Sequence, residues 1–310
     1  MADVAPFASI ALHLALLLLL PPLLPGLIAK TKAIAAGRKG APIVQPYRDL
    51  WKLLGKGAVY SRTTTWIFRA GPIVCLAATL CAGLLAPLVG PSSPLGFAGD
   101  VVLFAYLLAL GRFFTMAAAL DTGSSFEGMG ASREAAFSAL AEPTLFLVLA
   151  ILCIPAGSPS FAAAWAALPW QTWIAAHPPL IAATVALFVV MLAENSRIPV
   201  DDPNTHLELT MIHEVMVLDH GGPDLAFILY ASAMKLFLFA SLLVHILAPI
   251  PAGLAGLPVF LLGITLTAVV VGIVESITAR LRLLRVPQFL LGASVVAALG
   301  LLVLVFRGAL

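Results

Sequence analysis

The chain has 310 residues, of which 61% are hydrophobic and only 10% are charged, and its mean hydropathy is +1.06. Soluble domains carry about 25% charged residues, so this composition excludes a soluble globular enzyme, a disordered chain and a secreted disulfide scaffold. The net charge of +2 is too small to indicate nucleic-acid binding. The composition instead predicts an integral membrane protein.

Eight apolar stretches are long enough to cross a bilayer core of about 30 Å, which takes about 20 helical residues. They are continuous runs of Leu, Ala, Val and Ile, without the ten-residue alternation of a β-barrel. The predicted fold is therefore all-α, a single polytopic membrane domain over residues 1–310 with about eight transmembrane helices. The predicted spans are 7–29, 71–90, 100–120, 133–155, 179–196, 224–247, 258–279 and 287–306.

Lysine and arginine concentrate in alternate loops. Segment 30–69 carries nine of them and only one acid, Asp49, whereas the loops near 91–99, 156–178 and 248–257 carry none. The positive-inside rule then places the basic loops in the cytoplasm and both termini outside a cytoplasmic (inner) membrane. The predicted cytoplasmic loops are 30–70, 121–132, 197–223 and 280–286.

Ionisable residues inside spans are costly and are functional candidates by default. Arg112 and Lys235 lie near the centres of the third and sixth spans, and Glu142 lies within the fourth. Cations at mid-depth need partners, and buried carboxylates such as Glu142 are the expected ones. Two interpretations stay open: a static structural ion pair, or a polar chain that moves protons or senses charge.

Four more ionisable side chains lie within the spans. Glu194 and Glu275 fall toward the cytoplasmic ends of the fifth and seventh spans. Each could belong to the charge chain or could reach the interface as a snorkelling end. His13 and His245 are single histidines in apolar surroundings, and we predict that they are packing residues.

The segment after the fifth span contains a histidine stripe, His206, His213 and His220. We predict a helix that is capped by Asn204 and runs to Leu218. At 1.5 Å per residue, successive histidines lie about 10 Å apart, too far to share one zinc ion, whose ligands lie within about 2 Å. The sequence therefore predicts no metal site and no catalytic residue here.

The same segment is acidic. Asp201, Glu208 and Glu214 are its candidate coupling residues, and they lie at the inner rim of the membrane. One interpretation is a solvated loop; the other is an ordered acidic funnel that passes protons or couples to a docked partner.

The basic loop holds a patterned stretch from Gly37 to Leu54, which predicts a turn followed by a short helix. Anchoring to lipid headgroups is one interpretation. A docking surface is the other, because the Gly- and Pro-rich run with Gln, Tyr and Trp is more structured than anchoring needs. The three cysteines form no CxxC or metal-ligand spacing, and we predict that they are packing residues.

These segments resemble a known family. Gln45-Pro46-Tyr47-Arg48-Asp49-Leu50 and Ala193–Asp201 are similar to loops of the respiratory complex I subunit 1 family. Leu120–Glu134 and Asp202–Met211 resemble, more narrowly, its formate hydrogenlyase subunit 4 / hydrogenase-4 component C branch. His213-Glu214, Glu275-Ser276 and the run Ala279–Pro287 also fit that branch.

The resemblance implies a membrane-anchor subunit of a group 4 [NiFe] hydrogenase-like complex that links electron transfer to proton or sodium movement. The expected partners are a cytoplasmic hydrogenase-like large subunit, an iron–sulfur small subunit and antiporter-like membrane subunits. The [NiFe] centre and the iron–sulfur clusters are expected in those partners and not in this chain. Acidic family positions fall on Glu142, Glu194, Asp201 and Glu208, with Glu214 close to another. Arg48, Asp49 and Lys52 fall on the family's docking-loop motif, and Arg133 is a further docking candidate.

Two rival functions remain. One is the quinone-site subunit 1 of a complex I-like NADH dehydrogenase, and the loop at 201–214 is the feature that favours the hydrogenase branch over it. The other is a free-standing ion transporter, against which stand the patterned cytoplasmic loops and the lack of an internal repeat.

Overall fold

The computed structural model describes residues 4–168, 177–202, 211–251 and 253–308. Over these residues it consists of α-helices joined by loops and short 3₁₀ turns, so the all-α prediction is confirmed. The helices are α1 Val4–Leu19, α2 Leu23–Ala35, α3 Gln45–Leu54, α4 Trp66–Leu85, α5 Asp100–Asp121, α6 Ser125–Cys153, α7 Phe161–Ala166, α8 His177–Glu194, α9 Gly222–Leu247, α10 Leu257–Ile277 and α11 Val286–Gly308.

The number of spans is smaller than predicted. Among the described residues, six helices are long and apolar enough to cross a membrane, and a bent pair brings the count to seven. The predicted fifth span corresponds to α8. Its apolar part, Pro178–Glu194, is shorter than the helices that are long enough to cross a membrane. The chain is a polytopic membrane protein, and its described residues contain six or seven such spans where eight are predicted.

The bent pair is the predicted first span. Phe7–Leu19 and Leu23–Ala35 meet at an angle of 46°. The break follows from Pro21 and Pro22, which have no N–H to donate to the preceding turn. The span therefore divides into α1 and α2, which make different contacts.

Six helices pack as a ring. Each contacts the next in the order α4, α5, α6, α11, α8, α9, and α9 contacts α4 again. Helix α9 is apolar nearly all round because it also packs against α2, α3 and α10. Small residues allow the closest approaches: a Cβ on Gly272 of α10 would lie 2.7 Å from Cβ of Thr31 in α2. This contact brings the end of α2 beside the end of α10.

The loops at one end of the bundle are tied together, and we call this end the basic side because it carries the Lys- and Arg-rich segments. The backbone N–H of Thr65 donates to Asp121 at 2.6 Å, which joins the start of α4 to the end of α5. The N–H of Leu281 donates to the Pro199 carbonyl at 2.9 Å. The loops are therefore structured, as the sequence predicts.

Two local predictions are wrong. Helix α6 begins at Ser125, so most of the predicted loop 121–132 is helical. The helix predicted from Asn204 to Leu218 is not formed over residues 211–218, where the structure has only the 3₁₀ turn Glu214–Val217. The physical reason is that the Ile212 and His213 amides bond to the carboxylate of Asp201 instead of to a helix. Residues 203–210, with Asn204, His206 and Glu208, lie outside the described part of the chain.

Candidate functional site

Arg112 of α5 is the centre of a buried charge network. Its Nη2 lies 2.6 and 2.7 Å from the two oxygens of Glu194, the last residue of α8. Its Nη1 bonds to Glu142 of α6, and its Nε lies 3.3 Å from Oε1 of Glu134 on the same helix. The contact with Glu134 is an ion pair without hydrogen-bond geometry. A planar guanidinium is suited to several carboxylates at once.

Two more groups extend this network. Lys235 of α9 places Nζ 3.5 Å from Oε2 of Glu194, and His213 places Nε2 3.4 Å from Oε2 of Glu134. With neutral His213, the network contains two cations and three carboxylates, which leaves one formal negative charge. An uncompensated charge is costly at a buried site. The network therefore holds one carboxylate more than its cations balance.

A second charge cluster surrounds Glu275 near the end of α10. Its Oε2 lies 2.8 Å from Nζ of Lys32 in α2, and its Oε1 lies 3.4 Å from Nη1 of Arg197. The side chain of Glu275 is fully buried, at 0% exposed. This cluster holds one carboxylate and two cations, so its formal charge is opposite to that of the Arg112 network.

Asp201 positions the loop between α8 and α9. Its Oδ2 accepts the backbone N–H groups of Ile212 and His213, each at 3.1 Å, and its Oδ1 lies 2.8 Å from Nη2 of Arg280. These bonds hold His213 where its imidazole reaches Glu134. Asp201 thus acts on the Arg112 network through the backbone of residues 212–213.

A cavity of about 490 Å³ lies against both charge clusters. This volume is within the range of small-molecule sites, which hold about 300–1,000 Å³. Apolar residues of α2, α5 and α9 form much of its wall. The charged and imidazole side chains of the two clusters that line it are Lys32, Arg112, Glu134, Glu194, Arg197, His213, Lys235 and Glu275. Asn195 also lines it, and its buried Oδ1 has no hydrogen-bond partner among the described residues.

Two tyrosines tie the cavity walls to the break in the first span. The hydroxyl of Tyr230 in α9 donates to the Leu18 carbonyl at 2.7 Å, and Tyr47 of α3 donates to the Leu19 carbonyl. Pro22 has no N–H with which to bond Leu18 in a continuous helix. The tyrosines satisfy carbonyls that the break leaves free, and they join α3 and α9 to α1.

The structure brings four of the predicted coupling residues into one network, namely Arg112, Glu142, Glu194 and Lys235. Glu275 belongs to the second cluster, and Asp201 supports the first from the loop. Glu214 lines the cavity, and Glu208 lies outside the described residues. The snorkelling alternative is wrong for Glu194 and Glu275, whose side chains are 4% and 0% exposed.

The predicted docking residues differ in their surroundings. Arg48 and Lys52 are exposed on α3. Asp49 lines the cavity, and its Oδ1 accepts a bond of 2.8 Å from Gln45. Arg133 donates from Nη1 to the Met211 carbonyl at 2.7 Å, so it helps to hold the loop that carries His213.

Sequence reasoning missed Glu134, Lys32, Arg197 and His213 as members of the site. All four lie in or beside predicted loops, where a charge is ordinarily solvated. One signal in the sequence could have identified Glu134. It precedes Glu142 by eight residues, which is about 12 Å along a helix. One helix thus carries two carboxylates toward the membrane interior.

The remaining histidine and cysteine predictions concern packing. His13 Nε2 lies 2.9 Å from the Gly83 carbonyl, and His245 Nδ1 lies 2.8 Å from the Ser241 carbonyl, both at buried sites. Cys75, Cys81 and Cys153 are free thiols. Within the described ranges, no group of three or more His, Cys, Asp or Glu side chains could hold a metal ion.

Comparisons with known proteins agree with this architecture. The chain is 33% identical over 281 residues to hydrogenase-4 component C of Escherichia coli (strain K12), with 87% of each chain covered. It is 30% identical over 275 residues to formate hydrogenlyase subunit 4 of the same organism, with 86% of this chain and 88% of the relative covered.

A solved structure is similar over nearly the whole chain. It is a chain of the membrane-bound sulfane sulfur reductase, an archaeal respiratory membrane complex, with a TM-score of 0.82 and 25% identity over 97% of this chain and 99% of that one. The family model described as NADH dehydrogenase matches residues 8–306. The chain therefore belongs to the NADH dehydrogenase subunit 1 family, with hydrogenase-4 component C and formate hydrogenlyase subunit 4 as homologues.

Proposed function

We propose that this chain is the membrane-anchor and ion-coupling subunit of a group 4 [NiFe] hydrogenase or formate hydrogenlyase-type complex. The two homologues with 30% or more identity are named as components of such systems. The observation that carries the coupling role is the Arg112 network, which has an excess carboxylate and borders a cavity. The chain supplies no electron carrier in this proposal; it docks the redox arm and moves ions.

We place the basic side in the cytoplasm, with both termini outside the inner membrane. The partners on that side are a hydrogenase-like large subunit and an iron–sulfur small subunit, which hold the nickel–iron and iron–sulfur centres. Arg48 and Lys52 support the docking role because both are exposed on the polar face of α3. Arg133 has an internal role as well, since it holds the Met211 carbonyl.

Coupling follows from the charge balance of the network. At an effective dielectric constant of about 20, a unit charge about 15 Å away contributes about 1 kcal/mol, which is close to one pKa unit. A change of charge in the docked arm thus changes the electrostatic potential at the carboxylates of the Arg112 network. Arg112 holds these carboxylates in one place, and Lys235 limits the excess charge.

The outward step uses Glu142. Its side chain is 39% exposed although it lies within a membrane-spanning helix. A carboxylate that faces hydrocarbon is costly, and this supports an antiporter-like membrane subunit as the neighbour that covers it. A proton released from the network passes from Glu142 to that neighbour.

A second candidate is the quinone-site subunit of a complex I-like dehydrogenase. The cavity of about 490 Å³ favours it, because much of the wall is apolar and the polar groups converge at the charge clusters. A match of 28% identity over 192 residues to a component of the NADH-quinone oxidoreductase of Anaplasma phagocytophilum (strain HZ) also supports it; the match covers 56% of this chain and 54% of the relative. The two homologues that match over a longer stretch favour the hydrogenase candidate.

Purification of the intact complex tests the proposal. The tagged chain is extracted in mild detergent, the co-purifying subunits are identified and nickel is assayed. We expect a nickel-containing large subunit and an iron–sulfur partner. A flavin-containing, nickel-free dehydrogenase arm would favour the quinone candidate, and a chain that purifies alone and still moves ions in vesicles would contradict both.

The docking surface has its own test. Arg48→Glu is expected to release the basic-side subunits during a salt wash that leaves the wild-type complex intact. Arg285→Glu, an exposed arginine on the same side, is the matched control. Equal retention in both variants would remove Arg48 from the docking surface.

A further inference from the structure

The segment 51–66 exposes apolar and basic side chains in alternation. Trp51 is 81% exposed, Val59 is 88% exposed and Trp66 is 70% exposed. Lys56 and Arg62 lie between them and are exposed too. Trp66 is the first residue of the membrane helix α4, whereas Trp51 and Val59 lie outside the spans. Large apolar side chains that are this exposed outside a span indicate a surface that another apolar phase covers.

The helix that begins this segment is too short to cross a membrane. Helix α3 has 10 residues and is amphipathic, since Tyr47, Leu50 and Leu54 follow one another at helical spacing. The hydroxyl of Tyr47 reaches the Leu19 carbonyl in the apolar helix α1. The apolar face of α3 is therefore turned toward the membrane-spanning bundle, and Trp51 lies at the outer edge of that face. This is the position that tryptophan favours at a membrane interface.

The charged side chains of the segment itself are all basic, and the carboxylate of Asp121 lies against its end at Thr65. No acidic residue occurs from Leu50 to Gly99. The acid before it, Asp49, accepts a hydrogen bond from Gln45 at 2.8 Å. Over the described residues, the structure records no ion pair for Lys56 or Arg62. Two exposed cations beside exposed tryptophans are complementary to an anionic, interfacial ligand.

We propose that the segment 51–66 binds acidic phospholipids of the leaflet on the basic side. Trp51, Leu54, Val59 and Trp66 insert among the lipid glycerol and upper acyl groups, while Lys56 and Arg62 bind lipid phosphates. Arg48 and Lys52, on the opposite face of α3, remain available to the docked arm. Lipid binding at this surface does not depend on the hydrogenase role.

Lipid at this surface also affects the cavity. Helix α3 contributes Gln45, Pro46 and Leu50 to the cavity wall, and Tyr47 ties it to the break in the first span. A lipid that holds the outer edge of α3 thus also holds that wall in place.

The test compares the complex in nanodiscs of phosphatidylcholine with the complex in nanodiscs that also contain phosphatidylglycerol. Amide hydrogen exchange of peptides within 51–66 is followed by mass spectrometry. Exchange is expected to be slower with phosphatidylglycerol, by about fivefold for each of the two cations. Lys56→Gln/Arg62→Gln should lose this difference, whereas the control Arg282→Gln/Arg285→Gln on the same side should keep it.

Two results would overturn the proposal. One is wild-type exchange that is equal in both kinds of nanodisc. The other is protection that follows the presence of the basic-side subunits and not the lipid composition, which would make the segment a protein-docking surface. Thermal unfolding in phosphatidylcholine nanodiscs checks that the Lys56→Gln/Arg62→Gln variant is folded, because a change confined to lipid contacts leaves that transition unchanged.

Discussion

Both carboxylate oxygens of Glu194 lie within hydrogen-bond distance of one nitrogen of Arg112, at 2.6 and 2.7 Å from Nη2. The pair joins the end of α8 to the interior of α5 across 82 residues of sequence. Two further carboxylates share the same guanidinium. The Arg112–Glu194 pair thus holds the network together, and substitution of either residue should affect stability as well as coupling.

Arg112→Met is expected to destabilise the chain by about 3–5 kcal/mol, because it leaves buried carboxylates without their main cation. The measurement is denaturant or thermal unfolding in detergent. Arg112→Met combined with Glu134→Gln should recover part of the loss, since one buried charge is then removed. Arg282→Met, an exposed arginine, should stay within about 0.5 kcal/mol of wild type. A loss for Arg112→Met no larger than that control would contradict the buried network.

Glu142→Gln is expected to leave assembly intact and to lower coupled turnover about a hundredfold, the lower end of what a positioned proton-transfer group contributes. Its partly exposed side chain makes the cost in stability small. Lys235→Ala should share this behaviour. The control is Glu127→Gln on the same helix, whose carboxylate accepts the Asp219 N–H and lies outside the network. If neither Glu142→Gln nor Lys235→Ala alters activity or ion movement, the charge chain is structural only.

Asp201→Asn is expected to speed amide exchange at Ile212 and His213, because one oxygen that accepts both N–H groups is replaced or turned away. The buried site should cost about 1–3 kcal/mol. Coupled turnover should also fall, since His213 loses its position beside Glu134. Asp121→Asn, which removes a comparable backbone acceptor at Thr65, should leave the 212–213 amides unchanged. Unchanged exchange in Asp201→Asn would refute the positioning role.

Gly130→Ala is expected to destabilise the chain by about 1–3 kcal/mol. A Cβ at this position would lie 2.4 Å from Cγ1 of Val215 and 3.0 Å from the Ile212 carbonyl oxygen. Gly128→Ala on the same helix meets nothing within 4 Å, so it should stabilise α6 by about 0.5–1 kcal/mol. Unfolding midpoints of the two variants should shift in opposite directions, and parallel shifts would mean that the 212–216 turn does not pack on α6.

The sequence alone was enough to predict the class of the protein and most of its spans. Apolar length and the cost of a charge in hydrocarbon are local properties, and both can be read along the chain. For this reason Arg112, Lys235, Glu142 and Glu194 were recognisable before any fold was known. The predicted count of eight spans was wrong because the length of an apolar stretch does not show whether one helix crosses the membrane. The exceptions are the break before Pro21 and Pro22 and the short helix α8.

The pairing of the charges required the folded chain. Lys32 and Glu275 meet because α2 packs on α10. Arg112 meets Glu194 because α5 and α8 face the same interior. Neither pair can be predicted from a local sequence pattern, because the partners are far apart in sequence. Arg197 and His213 lie in predicted loops and join the site only because these loops fold back on the bundle, and Glu134 lies at the start of a predicted span. Hydropathy depends on each residue and its near neighbours in sequence, whereas ion pairs and the cavity depend on which helices touch. The contacts of the helices and of the folded loops therefore bring these costly charges together into one site.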